Sequence, residues 1–259
     1  MSLSSSIEWT DATWNPLAGC SKVSSGCQNC YALRMAARLE MMGQEKYVGL
    51  TCAKNSQTKW TGKINFDRKT LNKPLEWSKS QFIFVNSMSD LFHEDVSVDV
   101  VKEIWEVMAR AHWHIFQVLT KRADRMMELL KRDDFPVLPN VWLGVSVEDS
   151  DCAKRIGILN KTPANVRVVS FEPLLGPIGK IDLQLIDWAI VGGESGPGAR
   201  PMKEIWVDEI FEQCKDSGTP FFFKQWGGTF KKKTGRIYRN QVWDEFPGHD
   251  LCAQLVCKR

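Results

Sequence analysis

The sequence predicts an α/β fold, a partial or nearly closed parallel (β/α) barrel of about six to seven strands. The first observation behind this prediction is that short apolar runs recur along the chain and alternate with helix-like patterns. Strands that are apolar on both faces, with helices between them, indicate βαβ units and a parallel sheet covered by helices. The second observation is the length of 259 residues, which suits a single barrel. A doubly wound open sheet is the alternative architecture.

The predicted strands are apolar runs that are too short to be buried helices. A weak first strand is expected at Ile7–Trp9. After residue 80 the alternation becomes regular, and the other strands are expected at Phe82–Val85, His114–Leu119, Val141–Val145, Val166–Phe171, Trp188–Val191 and Phe221–Lys224.

The predicted helices lie between these strands. The first, Tyr31–Met42, is followed by Gly43 as a stop signal, and its apolar stripe consists of Leu33, Ala36, Ala37 and Met41. The others are expected at Val98–Ala111, Ala123–Leu130, 150–160 and Glu204–Asp216.

Two segments interrupt the regular pattern. Residues 44–80 form an insertion rich in Lys, Thr and Asn, with a short helix-like stretch near 67–78, and residues 227–259 form an irregular C-terminal tail. No Pro/Gly/Ser-rich linker separates either segment from the rest, so the sequence predicts one domain over residues 1–259.

The composition is that of an ordinary folded protein, with 43% hydrophobic and 25% charged residues. No apolar run reaches the roughly 18 residues of a membrane span, and residues 1–6 are too short and polar for a signal peptide. We therefore expect a cytoplasmic protein without a membrane partner. The net charge of +3 permits a nucleic-acid or phosphate-bearing partner but does not indicate one.

Three cysteines within eleven residues are the densest chemical signal in the chain. Cys20, Cys27 and Cys30 have the spacing C-x6-C-x2-C, and cytosolic cysteines indicate metal ligands or buried thiols rather than disulfides. Three thiolates that hold a cubane leave one iron open for a chelating cofactor. Zinc, with Cys52 or His93 as the fourth ligand, and incidental thiols are the alternatives. Cys252 and Cys257 have no partners that suggest a site.

Polar residues follow every predicted strand from the second onward. Because the carboxyl ends of parallel barrel strands share one rim, we expect these residues to surround one site together with the cysteines. Ordinary capping and solvated turns are the alternative. The candidate site residues in the segments that follow these strands are Ser87, Ser89, Asp90, Thr120, Lys121, Ser146, Glu148, Glu172, Gly192, Gly193, Glu194, Lys224, Gln225 and Trp226.

Three further features each have a separate interpretation. The glycine-rich stretch Gly192–Gly198 predicts either a backbone cradle for a carboxylate or phosphate, or a tight turn that only positions Glu194. His93 is a candidate for proton transfer, whereas His112 and His114 are interpreted as structural. The basic run at 231–233 is interpreted as a solvated loop or a nucleic-acid contact.

The motifs together resemble the phage-associated three-cysteine-motif protein family, which is grouped with radical S-adenosylmethionine (SAM) proteins. The resemblance extends from Trp14 to Pro247. The motifs that carry it are Cys20…Cys27-Gln-Asn-Cys30-Tyr31, Trp60–Gly62, Phe84–His93, Gln117–Arg122, Asn140–Glu148, Glu172–Pro177, Gly192–Pro201 and Phe222–Gly227.

The resemblance implies a barrel of the radical-SAM type, with Cys20, Cys27 and Cys30 as ligands of a [4Fe–4S] cluster, SAM as the second cofactor and an external electron donor. It also implies that the second strand end holds the methionine group of SAM, with Asp90 as the candidate for its amine. Ser146 and Glu148 would then lie near the ribose. The other candidates for cofactor binding are Ser87, Ser89, Thr120, Lys121, Gly192 and Gly193.

Two features depart from the radical-SAM pattern. The first cysteine gap is longer than the usual C-x3-C, and Asn29 stands where an aromatic residue usually precedes the last cysteine. Both bear on how the cofactor would be oriented.

The substrate is expected on the opposite part of the rim. Glu172, Glu194 and Lys224 are the candidate catalytic residues, and Arg200, Gln225 and Trp226 are candidate substrate contacts, with Trp226 able to stack on a planar group. A nucleic acid or nucleotide is the candidate substrate. The alternative function is a zinc- or cluster-stabilised nucleic-acid-binding protein without radical chemistry.

Overall fold

The centre of the fold is a seven-stranded, wholly parallel sheet, seen in a computed structural model that describes residues 5–54 and 57–248. Neighbouring strands follow the chain order without reversal. They are β1 (Ala12–Trp14), β6 (Phe82–Val85), β7 (Ile115–Thr120), β8 (Val141–Ser146), β9 (Val166–Phe171), β10 (Trp188–Gly192) and β11 (Phe221–Gln225). A doubly wound sheet requires a reversal of strand order, so that alternative is wrong.

The sheet curls into a partial barrel. The ring of Trp9, just before edge strand β1, lies 6.5 Å from the ring of Trp188 in β10. Nζ of Lys224 in the opposite edge strand, β11, lies 5.9 Å from the Trp9 ring. The two edges do not pair with each other in the described sheet, so the predicted partial barrel is confirmed.

The first strand is displaced from its predicted position. Ile7–Trp9 is not a strand, and Ala12–Trp14 pairs instead with Ile83–Val85. The weak apolar pattern at Ile7–Trp9 arises because Trp9 is 3% exposed inside the barrel. Burial of one large ring therefore mimicked the pattern of a strand.

The helices lie where the sequence predicts them. Between β9 and β10 the chain has no helix. The helices that cover the sheet are α1 (Tyr31–Met41), α3 (Val98–Arg110), α4 (Ala123–Leu130), α5 (Lys154–Asn160) and α6 (Glu204–Ser217).

Alternation along the strands separates two apolar layers. The larger layer packs the strands against the helices and includes Ile83, Val118 and Val191. The smaller layer fills the concave side with Trp9, Trp142, Trp188 and Phe222. The concave layer is therefore an aromatic floor beneath the carboxyl ends of the strands.

The insertion forms a support for the segment that carries the cysteines. Its strand β5 (Asn65–Phe66) pairs antiparallel with β2 (Leu17–Ala18), just before the cysteines. Its strands β3 (Thr51–Lys54) and β4 (Gln57–Trp60) pair antiparallel with each other. In place of the single predicted helix near 67–78 stand α2 (Arg68–Leu71) and a 3-10 turn at Lys73–Glu76. A small apolar cluster packs the insertion against α1 and consists of Ala18, Ala32, Ala36, Tyr47, Leu50 and Met88, with Cys30 and Trp60 at its edge.

The C-terminal tail covers the edge strand β11. The N–H of Phe223 donates to the carbonyl oxygen of Trp243 at 2.9 Å. The ring of Phe246 packs 4.6 Å from that of Trp188. Apart from the short helix α7 (Lys231–Thr234), the described tail is irregular as predicted, but it is held in place by these contacts. Cys252 and Cys257 lie outside the described residues.

The described part of the chain contains no helix with the length and apolar character that crossing a membrane would require.

Candidate functional site

The candidate site lies at the rim, meaning the carboxyl ends of the parallel strands. The cysteine loop, residues 20–30, begins beside the end of β6, where the N–H of Gly19 donates to the carbonyl oxygen of Met88 at 3.2 Å. Its last thiol, Cys30, occupies the N-cap position of α1. Polar contacts then anchor the cysteine loop and the start of α1 to three separate parts of the rim.

The first anchor joins the loop to the ends of β6 and β7 through Arg122. The Arg122 guanidinium donates to Oδ2 of Asp90 at 3.1 Å and to Oγ of Ser21 at 2.7 Å. Asp90 also accepts hydrogen bonds from Oγ1 of Thr120 at 2.7 Å and from the backbone N–H of Phe92 at 3.0 Å. Asp90 is 5% exposed, so the protein itself occupies most of the hydrogen-bonding capacity of this carboxylate.

The second anchor is Glu148, which is fully buried after β8. Its Oε1 accepts hydrogen bonds from Oγ of Ser24 and Nζ of Lys121, each at 2.7 Å, and its Oε2 accepts one from Arg155 at 2.8 Å. Burial alone would raise the pKa of Glu148, but the charge of Lys121 and the hydrogen bonds from Cys152, Lys121 and Ser24 lower it to about 2. Glu148 is therefore an ionised carboxylate that holds the cysteine loop through its hydrogen bond from Ser24.

Position 26 requires glycine because the cysteine loop passes directly over the Glu148 side chain. A Cβ at Gly26 would lie 2.5 Å from both Cγ and Oε1 of Glu148, which is far inside van der Waals contact. The close approach excludes any side chain at this position.

The third anchor joins the loop to the glycine-rich loop, Gly192–Gly198. Nδ2 of Asn29 donates to Oε2 of Glu194 at 2.9 Å and to the carbonyl oxygen of Gly198 at 2.9 Å. Arg200 donates from its Nε to Oε2 of Glu194 at 2.9 Å and from its Nη2 to the carbonyl oxygen of Ser25 at 3.0 Å. Glu194, predicted to be catalytic, thus holds the cysteine loop in place.

The three thiols influence one another electrostatically. Burial, followed by the nearby Asp90, raises the pKa of the Cys20 thiol to about 12, and Cys27 and Cys30 add to the rise. Burial also raises the pKa of Cys30. Without a metal these two thiols carry protons at neutral pH, and a soft metal would displace the protons.

The thiols supply a suitable donor set for an iron–sulfur or zinc group, but not a finished metal site. Three partly buried cysteines lie in one anchored loop, and Cys27 and Cys30 both raise the pKa of Cys20, which fits a set of thiolate ligands once the protons leave. Over residues 5–54 and 57–248, however, no three His, Cys, Asp or Glu side chains have the arrangement of a metal site. Binding would therefore draw the three thiols together within the loop.

Neither alternative fourth ligand is well suited. The N–H of Asp95 donates to Nδ1 of His93 at 3.1 Å, so the proton of neutral His93 is on Nε2, which lies 2.9 Å from Oγ of Ser21. Burial and then Arg122 lower the pKa of His93. Both ring nitrogens therefore have protein partners, and Cys52 lies on the exposed hairpin strand β3.

A second charged group lies inside the mouth of the barrel. Nζ of Lys224 is 2.7 Å from Oε1 of Glu172, and Oγ of Ser170 donates to Oε2 of Glu172 at 3.2 Å. A Cβ at Gly192 would lie 2.6 Å from Oε1 of Glu172, so the glycine leaves room for this carboxylate. The pair is partly exposed above the aromatic floor, since side-chain exposures are 17% for Lys224 and 14% for Glu172.

Gln225 and Trp226, two further predicted residues, directly follow Lys224 at the end of β11. Gln225 is buried, and its Nε2 donates to Oγ of Ser195. The Trp226 ring packs 4.9 Å from that of Phe223, and its Nε1 donates to the carbonyl oxygen of Ile237 at 2.9 Å. Trp226 therefore lies on the helix-facing layer, whereas Lys224 points to the concave side.

Comparison with known proteins identifies the family. A model of a family described as a protein of unknown function, DUF5131, matches residues 4–247. The chain belongs to the DUF5131 family. No curated protein and no solved structure matches it significantly.

In this DUF5131 chain, three anchoring residues were not predicted as functional. Ser24 and Arg155 hold Glu148, and Asn29 holds Glu194. The only sequence signal for these residues was that each lies within or near a motif that contains a candidate residue. Which carboxylate each would meet depends on the closure of the barrel, which local sequence does not specify.

Proposed function

We propose that the chain is a radical-SAM-type iron–sulfur enzyme. The observation that carries the proposal is the position of the cysteine loop, which is anchored over the carboxyl-end rim of a parallel partial barrel. Such rims are where barrel enzymes hold their reacting groups. The Lys224–Glu172 pair in the mouth below supplies charged groups for a substrate.

In this proposal Cys20, Cys27 and Cys30 hold a [4Fe–4S] cluster, and the fourth iron is left for SAM. When bound and reduced by an external electron donor, the group would supply the one electron that breaks the C5′–S bond of SAM, which gives methionine and a 5′-deoxyadenosyl radical that removes a hydrogen atom from a substrate. The three anchors would keep the cysteine loop at the rim while its thiols move together around the cluster. Ser24, Asn29 and Ser21 each connect the loop to a carboxylate held by the barrel.

The cofactor side is assigned to the ends of β6, β7 and β8. Oγ of Ser89 is buried without a hydrogen-bond partner among the described residues, and Oγ of Ser87 donates to Oδ1 of Asn15 at 3.1 Å. Asp90 and Glu148 act in this proposal mainly by orienting the loop, because their oxygens already accept protein donors.

The substrate side is assigned to Glu172 and Lys224, with Arg200 and Gln225 at its edge. The paired charges can bind complementary polar groups and can hold or move a proton between Oε1 of Glu172 and Nζ of Lys224. The candidate substrate is a nucleic acid or nucleotide.

Anaerobic reconstitution tests the proposal directly. We expect about four iron atoms per chain, as a [4Fe–4S] cluster requires, and release of 5′-deoxyadenosine from SAM that depends on a reductant. Cys20→Ala, Cys27→Ala and Cys30→Ala should each abolish this release, whereas Cys52→Ala, which alters an exposed thiol, should leave it intact. Stoichiometric zinc without cleavage of SAM would contradict the proposal and favour the nucleic-acid-binding alternative.

A further inference from the structure

A loop beside the candidate site presents an aromatic ring and positive charge to solvent. Residues 227–235, here called the basic loop, leave the rim directly after β11. The N–H of Trp226 donates to the carbonyl oxygen of Gly235 at 3.2 Å, which closes the base of the loop. The N–H of Gly228 donates to the carbonyl oxygen of Glu194 at 2.7 Å. The basic loop is thus fastened to the same carboxylate-bearing segment that anchors the cysteine loop.

The ring at the tip of the basic loop is unusually exposed for an aromatic residue. Phe230 is 67% exposed, and Nζ of Lys233 lies 5.5 Å from its ring centroid. Lys232 and Lys233 are both exposed. Residues 227–235 include three lysines and no acidic residue, so the positive charge of this loop is not neutralised within it.

An exposed ring followed by lysines matches the two needs of a single-stranded nucleic acid. Unpaired bases stack on aromatic side chains, and their phosphates attract lysines. The bases of a duplex already stack on one another, so the ring would gain little there. We propose that the basic loop binds single-stranded nucleic acid, with Phe230 stacking on a base and Lys232 and Lys233 contacting phosphates.

The basic loop lies where it could bring a bound strand to the mouth of the barrel. The loop is joined to the segment that holds Glu194, so a bound strand would run past the mouth that contains Glu172 and Lys224. This role rests on the proposed function, because it makes single-stranded nucleic acid the substrate of the proposed enzyme. The binding itself does not rest on it. Binding itself needs neither SAM nor a reductant, so failure of the radical chemistry and failure of this inference can be told apart.

Fluorescence anisotropy with the full chain, with and without iron–sulfur reconstitution and without SAM, tests the inference. The probes are labelled oligo-dT and oligo-U of about 16 nucleotides, near the upper site size of single-strand-binding folds, and a duplex of the same length. We expect Phe230→Ala to weaken single-strand binding about tenfold, within the range for loss of one stacked base. Phe230→Trp should retain binding, with quenching of the new indole.

The contribution of the lysines is measured separately, by the salt dependence of binding. Replacing both Lys232 and Lys233 by Gln should reduce the slope of log K against log salt by about 1.4, because each phosphate contact on a single strand contributes about 0.7. Matched controls are Lys161→Gln and Leu185→Ala, both exposed and next to the starts of β9 and β10 at the opposite end of the sheet. These controls should bind like the wild type.

Three results would overturn the inference. One is equal binding of single strand and duplex, and another is an unchanged affinity of Phe230→Ala. The third is binding to phosphatidylserine vesicles with no binding to either oligonucleotide, which would make the basic loop a membrane contact.

Discussion

Oγ of Ser24 donates a 2.7 Å hydrogen bond to Oε1 of Glu148, which lies 124 residues further along the chain. Glu148 is fully buried and also accepts hydrogen bonds from Lys121 and Arg155. One carboxylate therefore holds the cysteine loop, the end of β7 and the start of α5 together.

Removal of the Glu148 carboxylate should strongly destabilise the fold. Glu148→Ala leaves Lys121 and Arg155 without a counter-charge, and loss of one member of a buried ion pair costs about 3–5 kcal/mol. Urea unfolding measures the change. The control Asp151→Ala alters an exposed acid three residues away and should change stability by less than about 0.5 kcal/mol. Equal effects of the two variants would show that Glu148 holds nothing together.

The low pKa of Glu148 predicts a loss of stability in acid. Because folding lowers this pKa from 4.5 to about 2, the contribution is fully present above pH 4.5 and is lost as the pH falls toward 2. The stability difference between wild type and Glu148→Gln should therefore narrow by up to about 3 kcal/mol between pH 7 and pH 2.5. Urea unfolding at several pH values measures it, and a difference that stays constant with pH would contradict the prediction.

A methyl group at Gly26 should displace the cysteine loop. In Gly26→Ala the new Cβ would lie 2.5 Å from Glu148, so we expect reduced iron uptake while most of the fold is retained. Iron content and circular dichroism measure the two effects. Gly157→Ala in α5 is the control, because a Cβ there meets no atom within 4 Å, and it should be neutral or stabilising by up to about 1 kcal/mol. Normal iron uptake by Gly26→Ala would count against the anchored loop.

The Lys224–Glu172 pair should show strong energetic coupling. A double-mutant cycle with Lys224→Met and Glu172→Gln should give about 1–3 kcal/mol, as expected for partly buried charges in contact. The matched control is the exposed pair Lys73–Glu76, which has the same 2.7 Å separation. Its coupling should be about 0.5 kcal/mol or less. Equal coupling in the two pairs would show that burial in the barrel mouth adds nothing.

Truncation of Phe246 should weaken the attachment of the tail. Its ring packs 4.6 Å from Trp188 and 5.6 Å from Phe222, and the side chain is half-buried. We expect Phe246→Ala to cost about 2 kcal/mol, below the value for a fully buried Phe. Thermal unfolding measures the change, and Val242→Ala, at a 50% exposed position, should have little effect. If Phe246→Ala unfolds at the wild-type temperature, the tail does not stabilise the barrel.

The sequence by itself determined the order of strands and helices from Phe82 onward and the common rim that follows from parallel strands. It did so because apolar periodicity is local, and the carboxyl ends of parallel strands must meet at one edge. It also identified Cys20, Cys27 and Cys30 as the densest group of metal-type donors. The same local pattern failed at Trp9, where burial of one ring inside the barrel resembled a strand.

Only the tertiary structure decided what the polar residues of the rim contact. Glu148 and Glu194 were candidates for cofactor and substrate, yet each holds the cysteine loop through Ser24 or Asn29. These pairs are 124 and 165 residues apart in sequence. Curling of the sheet brings them together, and because it depends on packing of the whole aromatic floor, no local motif specifies which partner a buried carboxylate will find.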